Sequence, residues 1–522
     1  MSAHAAPRQS RRIATRADRR GDADVSSTTW SDLVPARRFA VATPPARPPR
    51  PVNKTRTPPS RRGWPQPHAG WAPNPVRPVV WRASSRQLAG IYPFLHPTGV
   101  PAVGAPIGRN VLTRQTFCCH PTAWVTPYGI TNNPNFLVSG IPGSGKSAIQ
   151  KALAFRLASF GFRTLVAGDT KGEYNRLVES VGGRPLQLGP GMDGRINPLD
   201  AGPLGRDLTR LGNDEERLAW LNEIHRRRMA LLVALIRMQG RSRRGVPDLD
   251  EFEEMVLDVA LREATGQLYG SNRLATPTLG ELYRLVREPT DGMLRELAEP
   301  AEYVRRAGQR VRAALSALVN GHLGGLFDRE SSDVLDWSAS PIQSVDISRM
   351  TTYGADVVAM VLTCVSTWAQ AVIDEPNRSP IVVVRDELWR QMRSGGPAMV
   401  AKIDSDLRLS RAEGTVQMLA THKLEDFEAV GDTGSEAVNI AKGLVASCDV
   451  RVTLAQDVAP LAVMRAAVGL TDAECEHIAS WGRPHRGRAL WKVGRAGGSH
   501  IVQLQLTPYE QQLFHTDERM EQ

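Results

Sequence analysis

Residues Gly140–Ser147 read G-I-P-G-S-G-K-S, an octet with every group needed to cradle a row of phosphates. Glycines let successive backbone N–H groups close around anionic oxygens, Lys146 is placed to reach the β- and γ-oxygens, and the Ser147 hydroxyl suits Mg²⁺. Gly140, Pro142, Gly143, Ser144 and Gly145 make the loop, and Ala148 opens a helix whose N-terminus adds a positive dipole end. The flanks agree: Asn135–Ser139 is an apolar strand-like run, and Ile149, Leu153, Leu157 and Phe160 recur at helical spacing. Lysine is scarce in this chain, 8 against 57 arginines, so a lysine at the position the loop requires is a specific signal. The octet predicts binding of a nucleoside triphosphate, ATP with Mg²⁺.

Hydrolysis needs a carboxylate pair beside such a loop. Pro380-Ile-Val-Val-Val-Arg-Asp-Glu-Leu-Trp389 supplies it, because a run of β-formers ends in adjacent acids. Asp386 is expected to bond the Mg²⁺ shell and Glu387 to polarise the attacking water. The next strand, Val416–His422, ends in Thr421-His422, where a polar residue can sense the γ-phosphate, and His422 is assigned that role. Arg408 and Arg411 end the preceding helix. One of the two, with Arg411 as the first choice, is the candidate arginine finger, reaching across a subunit boundary.

These groups need a scaffold. At 522 residues the chain can hold several domains with a full core. Residues 1–85 carry 16 Arg/Lys, 4 Asp/Glu and 14 of the 37 prolines, whereas the whole chain is only +11. The excess positive charge therefore sits in a Pro/Arg-rich arm that reads as disordered, suited to DNA, acidic lipid or an acidic partner through charge alone. Trp30, Trp64, Trp71 and Trp81 in this arm are candidate docking anchors. Five cysteines without C-x-x-C spacing indicate neither a zinc site nor a disulfide framework. Val357–Ile373 is too short and polar to span a membrane. No secretory signal is legible, so the expected location is the cytoplasm, with peripheral attachment at the inner face of the membrane allowed.

The organisation reads as a tail over 1–85, a lead-in over 86–134, the first part of an ATPase core over 135–204, a helical insertion over 205–325, and the second part of the core over 326–522. Strands are expected at 162–168, 342–347, 381–384, 415–420 and 450–454. Helices are expected at 217–238, 249–263, 279–286, 301–319, 355–373, 396–411 and 435–446, and Arg488–Leu506 reads as an edge hairpin. The arginine clusters at 226–228 and 241–244 are candidate nucleic-acid contacts. Alternation of strand and helix argues for an α/β fold with a mostly parallel sheet.

The motif order is G-I-P-G-S-G-K-S, D-T-K-G-E-Y (169–174), I-N-P-L-D (196–200), V-R-D-E-L-W and A-T-H. It resembles the P-loop motors of type IV secretion and conjugative DNA transfer, specifically the VirB-type, TraC-like ATPases of the FtsK/HerA superfamily. Asp169, Gly172, Glu173 and Tyr174 match the family's second-strand ending, and Asn197, Pro198 and Leu199 its Asn-Pro-Leu element. Gly324–Asp328 and Thr516-Asp517 also look like family features. The resemblance spans about residues 105–520. It implies a RecA-like fold, a hexameric homo-oligomer and ATP-driven work on transfer or secretion channel proteins. Three departures stand out: His422 replaces the usual Gln, Arg385 interrupts the acidic strand, and the proline–arginine arm replaces the family's large N-terminal domain. The alternatives are an FtsK/HerA-like DNA translocase and an ATP-dependent binding switch. The second has no use for a water-activating acid.

Overall fold

The computed structural model describes residues 100–515 apart from internal stretches, the longest being 202–212, 242–248, 333–339 and 428–434. The arm over 1–85, the start of the lead-in, Arg243, Arg244 and Thr516-Asp517 lie outside the described residues.

The strands are β1 (Ala105–Asn110), β2 (Thr116–Cys119), β3 (Phe136–Ser139), β4 (Arg163–Asp169), β5 (Leu186–Gln187), β6 (Ile342–Asp346), β7 (Ile381–Arg385), β8 (Thr415–Thr421), β9 (Val450–Thr453), β10 (Arg488–Val493) and β11 (Gly498–Leu504). They form one 11-stranded sheet in the order β2-β1-β11-β10-β9-β3-β8-β7-β4-β6-β5. From β9 to β5 every pairing is parallel; the β10, β11, β1, β2 wing is antiparallel.

A parallel sheet needs both faces covered, which explains the unbroken apolar runs. Side chains still alternate along each strand. Phe136, Val138, Val382 and Val384 join one core with Ile149, Leu153 and Leu157 of the helix Lys146–Ala158. Leu137, Ile381 and Val383 face the other way, into a core shared with the helices Ala355–Ile373, Leu388–Glu413 and Asp214–Arg241. The segment 357–373 is thus core helix, and among the described residues no helix is long and apolar enough to cross a membrane.

Three elements differ from expectation. The helix expected over 301–319 is two helices, Ala301–Ala307 and Gln309–Val319, meeting at Gly308, where a Cβ would lie 3.1 Å from the Val304 carbonyl oxygen. The helix expected from 396 starts at Leu388 and kinks at Gly396 (φ 61) before Pro397, since proline removes a helical N–H and clashes with the preceding turn. The hairpin β10–β11 is not at an edge, because β1 and β2 from the lead-in extend the sheet beyond it.

The closing helix Pro508–Phe514 is pinned to the loop-bearing helix. Arg156 grips Glu510 with Nε–Oε1 and Nη2–Oε2 both at 2.7 Å, a bidentate pair. The same guanidinium donates to the Ile107 and Gln505 carbonyls, tying β1 and the segment after β11 to the same point. Burial alone would raise the Glu510 carboxyl, but Arg156 outweighs it and holds the group below its ordinary pKa. A depressed carboxylate stabilises above its unfolded pKa and loses that contribution as pH falls through the folded value. Glu510→Gln should therefore cost about 2 kcal/mol at pH 7. In urea melts the gap to the unaltered chain should close as pH drops below about 4.

Candidate functional site

Parallel strands deliver their carboxyl ends to one edge, where open α/β sheets bind ligands. Here β3, β8, β7 and β4 are consecutive neighbours. Their endings therefore stand side by side: the loop 140–147, His422, the pair Asp386-Glu387, and the segment 169–174. Ser139 pairs with Thr421, Arg385 with Leu419, and Val166 with Val384. The four motifs line one cavity of about 530 Å³.

Loop geometry follows from its glycines. Gly143 and Gly145 take φ +75 and +108, left-handed conformations that glycine alone reaches without a Cβ penalty. Gly145 also packs against the chain at Gly487, where an added Cβ would be 3.1 Å from the Gly487 nitrogen. The Gly487 N–H donates to the Ser144 carbonyl at 2.9 Å and Arg486 Nε to the Gly143 carbonyl at 2.9 Å. The turn leading into β10 thus clasps the phosphate loop, a contact with no signal in the local sequence.

Lys146 is buried and donates to the carbonyls of Gly140 (2.7 Å) and Ile141 (3.3 Å) and to His422 Nδ1 (2.9 Å). An ammonium has only donors, so Nδ1 accepts and Nε2 carries the proton. That Nε2–H donates to Glu387 Oε1 at 3.0 Å. His422 therefore bridges the loop lysine and Glu387. Burial pulls the Lys146 ammonium down to about 8, against the nearby Glu387 and Asp386 charges.

Glu387 sits at φ 50, ψ 46, a left-handed backbone for a non-glycine residue that costs about 1–3 kcal/mol. This kink at the strand end turns its carboxylate into the cavity, where Oε1 also meets Lys171 Nζ at 2.6 Å and Oε2 accepts from Trp389 Nε1 at 2.7 Å. Burial alone would raise this carboxyl; the His422 and Lys171 bonds overturn that and hold it well below the usual range. Asp386 goes the opposite way, pushed up to about 6 by burial and by the Glu387 and Glu173 charges. Its Oδ1 accepts from the Glu387 N–H at 2.9 Å.

The Asp169-Thr-Lys-Gly-Glu-Tyr174 segment is shaped by Asp169, whose carboxylate accepts the N–H groups of Lys171, Gly172 and Tyr174. Glu173 reaches Lys151 of the loop-bearing helix at 3.4 Å. The Asn-Pro-Leu element is an anchor: buried Asn197 donates to the Pro277 carbonyl at 3.0 Å and accepts from Leu199 N–H, joining the core to the helical segment.

Several expected residues are elsewhere. Arg411 donates to the Asn132 carbonyl at 3.4 Å, before the start of β3, and Arg408 pairs with Asp404 at 2.8 Å. Both lie near the amino ends of the strands, opposite the phosphate loop, so neither belongs to this subunit's own cavity. Arg226, still 74% exposed, and Arg227 pair with Glu223, and Arg228 is buried against the Ala275 carbonyl. Arg385 does not disturb its strand. It is buried and pairs with Asp406 at 2.8 Å, which also takes Lys402 at 2.6 Å.

Sequence reasoning gave no role to Lys171, Lys151, Trp389 or Arg486. A signal for two of them was present, since Lys146, Lys151 and Lys171 are three of only 8 lysines and all line the cavity. Among the described residues no group of three or more His, Cys, Asp or Glu could hold a metal. The oxygen donors at hand, Ser147 and Asp386, suit a hard cation that keeps waters and phosphate oxygens as its other ligands, as Mg²⁺ does. The cavity lining also includes the apolar side chains Leu504, Leu506 and Phe514.

No family model matches the chain, and no curated protein matches it in sequence. Among solved structures, VirB4 of Thermoanaerobacter pseudethanolicus aligns with a TM-score of 0.59 at 19% identity, over 80% of this chain and 100% of that one. The plasmid coupling protein TrwB in complex with ADP and Mg²⁺ aligns at 0.46 and 17% identity, over 79% of this chain and 95% of that one. The likeness to VirB4 establishes the fold: a RecA-like P-loop ATPase architecture, the one implied by the resemblance to type IV secretion and conjugation motors.

Removing Arg385 leaves the buried Asp406 carboxylate with Lys402 alone. Arg385→Met should therefore destabilise by about 2 kcal/mol in urea unfolding, and Arg385→Met with Asp406→Leu should recover most of that. Equal loss in the single and double variants would contradict the assigned pairing.

Proposed function

We propose that the chain is an ATP-hydrolysing motor that energises conjugative DNA transfer or type IV-like secretion. The observation that carries this reading is the single cavity in which Lys146, Ser147, Asp386, Glu387 and His422 meet. In this reading the phosphates lie at Lys146 and the base against Leu504, Leu506 and Phe514, which line the same cavity. Mg²⁺ would be held by Ser147 and Asp386 and would neutralise phosphate charge there. Backbone N–H groups of the loop orient the phosphates, and Lys146 exchanges its carbonyl and His422 contacts for phosphate oxygens. His422, relieved of Lys146, passes that change to Glu387. Glu387 then orients and polarises water in line with the terminal phosphate.

Coupling to work follows from assembly. We assign a homo-oligomer, most simply a hexameric ring, in which Arg411 at the opposite sheet edge serves a neighbouring subunit. The partners are transfer or secretion channel proteins, with DNA attraction and peripheral membrane attachment assigned to the basic arm. The fold likeness to VirB4 supports this class of work.

Mg²⁺-dependent ATP turnover should fall by at least about tenfold in Lys146→Ala and in Glu387→Gln, with nucleotide binding retained in the second. Phosphate release and equilibrium binding measure the two separately; unchanged turnover in both variants would remove the site. Stimulation by channel proteins or membranes supports the secretion reading. Strong stimulation by duplex DNA, with movement along it, would replace it by the translocase reading.

A further inference from the structure

Lys171 stands where the site is most sensitive. Its backbone is fixed, because the Asp169 carboxylate accepts its N–H at 3.1 Å and that of Gly172 at 2.8 Å. Its side chain is 41% exposed and crosses the cavity mouth to Glu387 Oε1 at 2.6 Å, with Glu173 Oε1 at 3.7 Å. Glu387 consequently carries three donors on two oxygens: Lys171 and His422 on Oε1, Trp389 on Oε2. A carboxylate so engaged has little capacity left to accept from water. The chain Lys146–His422–Glu387–Lys171 holds both lysines on the groups that hydrolysis needs free.

We propose that Lys171 is a second phosphate-sensing cation, which restrains Glu387 through the ion pair at 2.6 Å and moves to the terminal phosphate when a triphosphate arrives. The proposal rests on the nucleotide reading above and adds to it a residue that distinguishes triphosphate from diphosphate. A terminal phosphate carries about −1.5 to −2 against −1 on Glu387, so the stronger anion takes the ammonium. Lysine suits the exchange, being a point charge with three donors on a flexible four-carbon stem. Both lysines line the same cavity and each lies in the other's field, so a phosphate row reached by Lys146 extends into the reach of the Lys171 charge. A diphosphate lacks the group that draws Lys171 away, and Glu387 stays restrained.

The experiment compares equilibrium binding of a non-hydrolysable ATP analogue and of ADP, both with Mg²⁺, to the full chain and to Lys171→Met and Lys171→Arg. Lys171→Met should weaken the triphosphate analogue at least about fivefold while ADP stays within about twofold, and Lys171→Arg should keep most of the preference. Retained ADP binding also certifies that the variant is folded. An unchanged ratio, an equal loss of both nucleotides, or tighter triphosphate binding in Lys171→Met would overturn the proposal while leaving the nucleotide site in place. Failure of the unaltered chain to bind either nucleotide would remove the nucleotide reading, and this proposal with it.

Discussion

The His422 imidazole is shared between a loop cation and a strand-end carboxylate, and the site's logic depends on that sharing. The arrangement requires β8 to lie between β3 and β7, because only then does a residue leaving β8 face both the phosphate loop and the acidic pair. Parallel pairing sets the height of each ending, so one register places four motifs at one level. Proton placement then follows from donor counting: a charged lysine on Nδ1 forces the hydrogen onto Nε2. A glutamine offers a similar donor and acceptor on one end group, which is the physical sense in which histidine can stand in its place here.

Much of this was legible in the residues. The phosphate loop, the strand Ile381–Arg385 and its two acids each carry local signals of composition and spacing, and the structure places them as those signals require. The neighbouring apolar strands were equally readable, because buried parallel strands leave continuous runs of β-formers. What was illegible depends on distant pairing. The contact of Arg486 and Gly487 with the loop comes from residues more than three hundred positions away. The ion pair Lys171–Glu387 exists only because β4 flanks β7. The left-handed turn at Glu387 has no sequence signal either, since a glutamate rarely adopts it without surrounding structure to impose it.

Buried charge is the recurring cost of this architecture. Arg385, in the middle of an apolar sheet, is tolerable because Asp406 meets it at 2.8 Å and Lys402 completes the set. Such a pair stabilises little over an apolar alternative but penalises any rearrangement that separates it. It therefore fixes the helix Leu388–Glu413 against β7 just behind Asp386 and Glu387. Arg156 with Glu510 does the same at the other end, setting the closing helix beside the phosphate-loop helix and thereby building the apolar wall of the cavity.

The most direct test is a structure of the chain with Mg²⁺ and a non-hydrolysable triphosphate. The account predicts Lys146 withdrawn from Gly140 and His422 onto phosphate oxygens, the cation between Ser147 and Asp386, and the base against Leu504 and Phe514. Nucleotide bound elsewhere, or Lys146 still seated on His422 beneath an occupied loop, would contradict it.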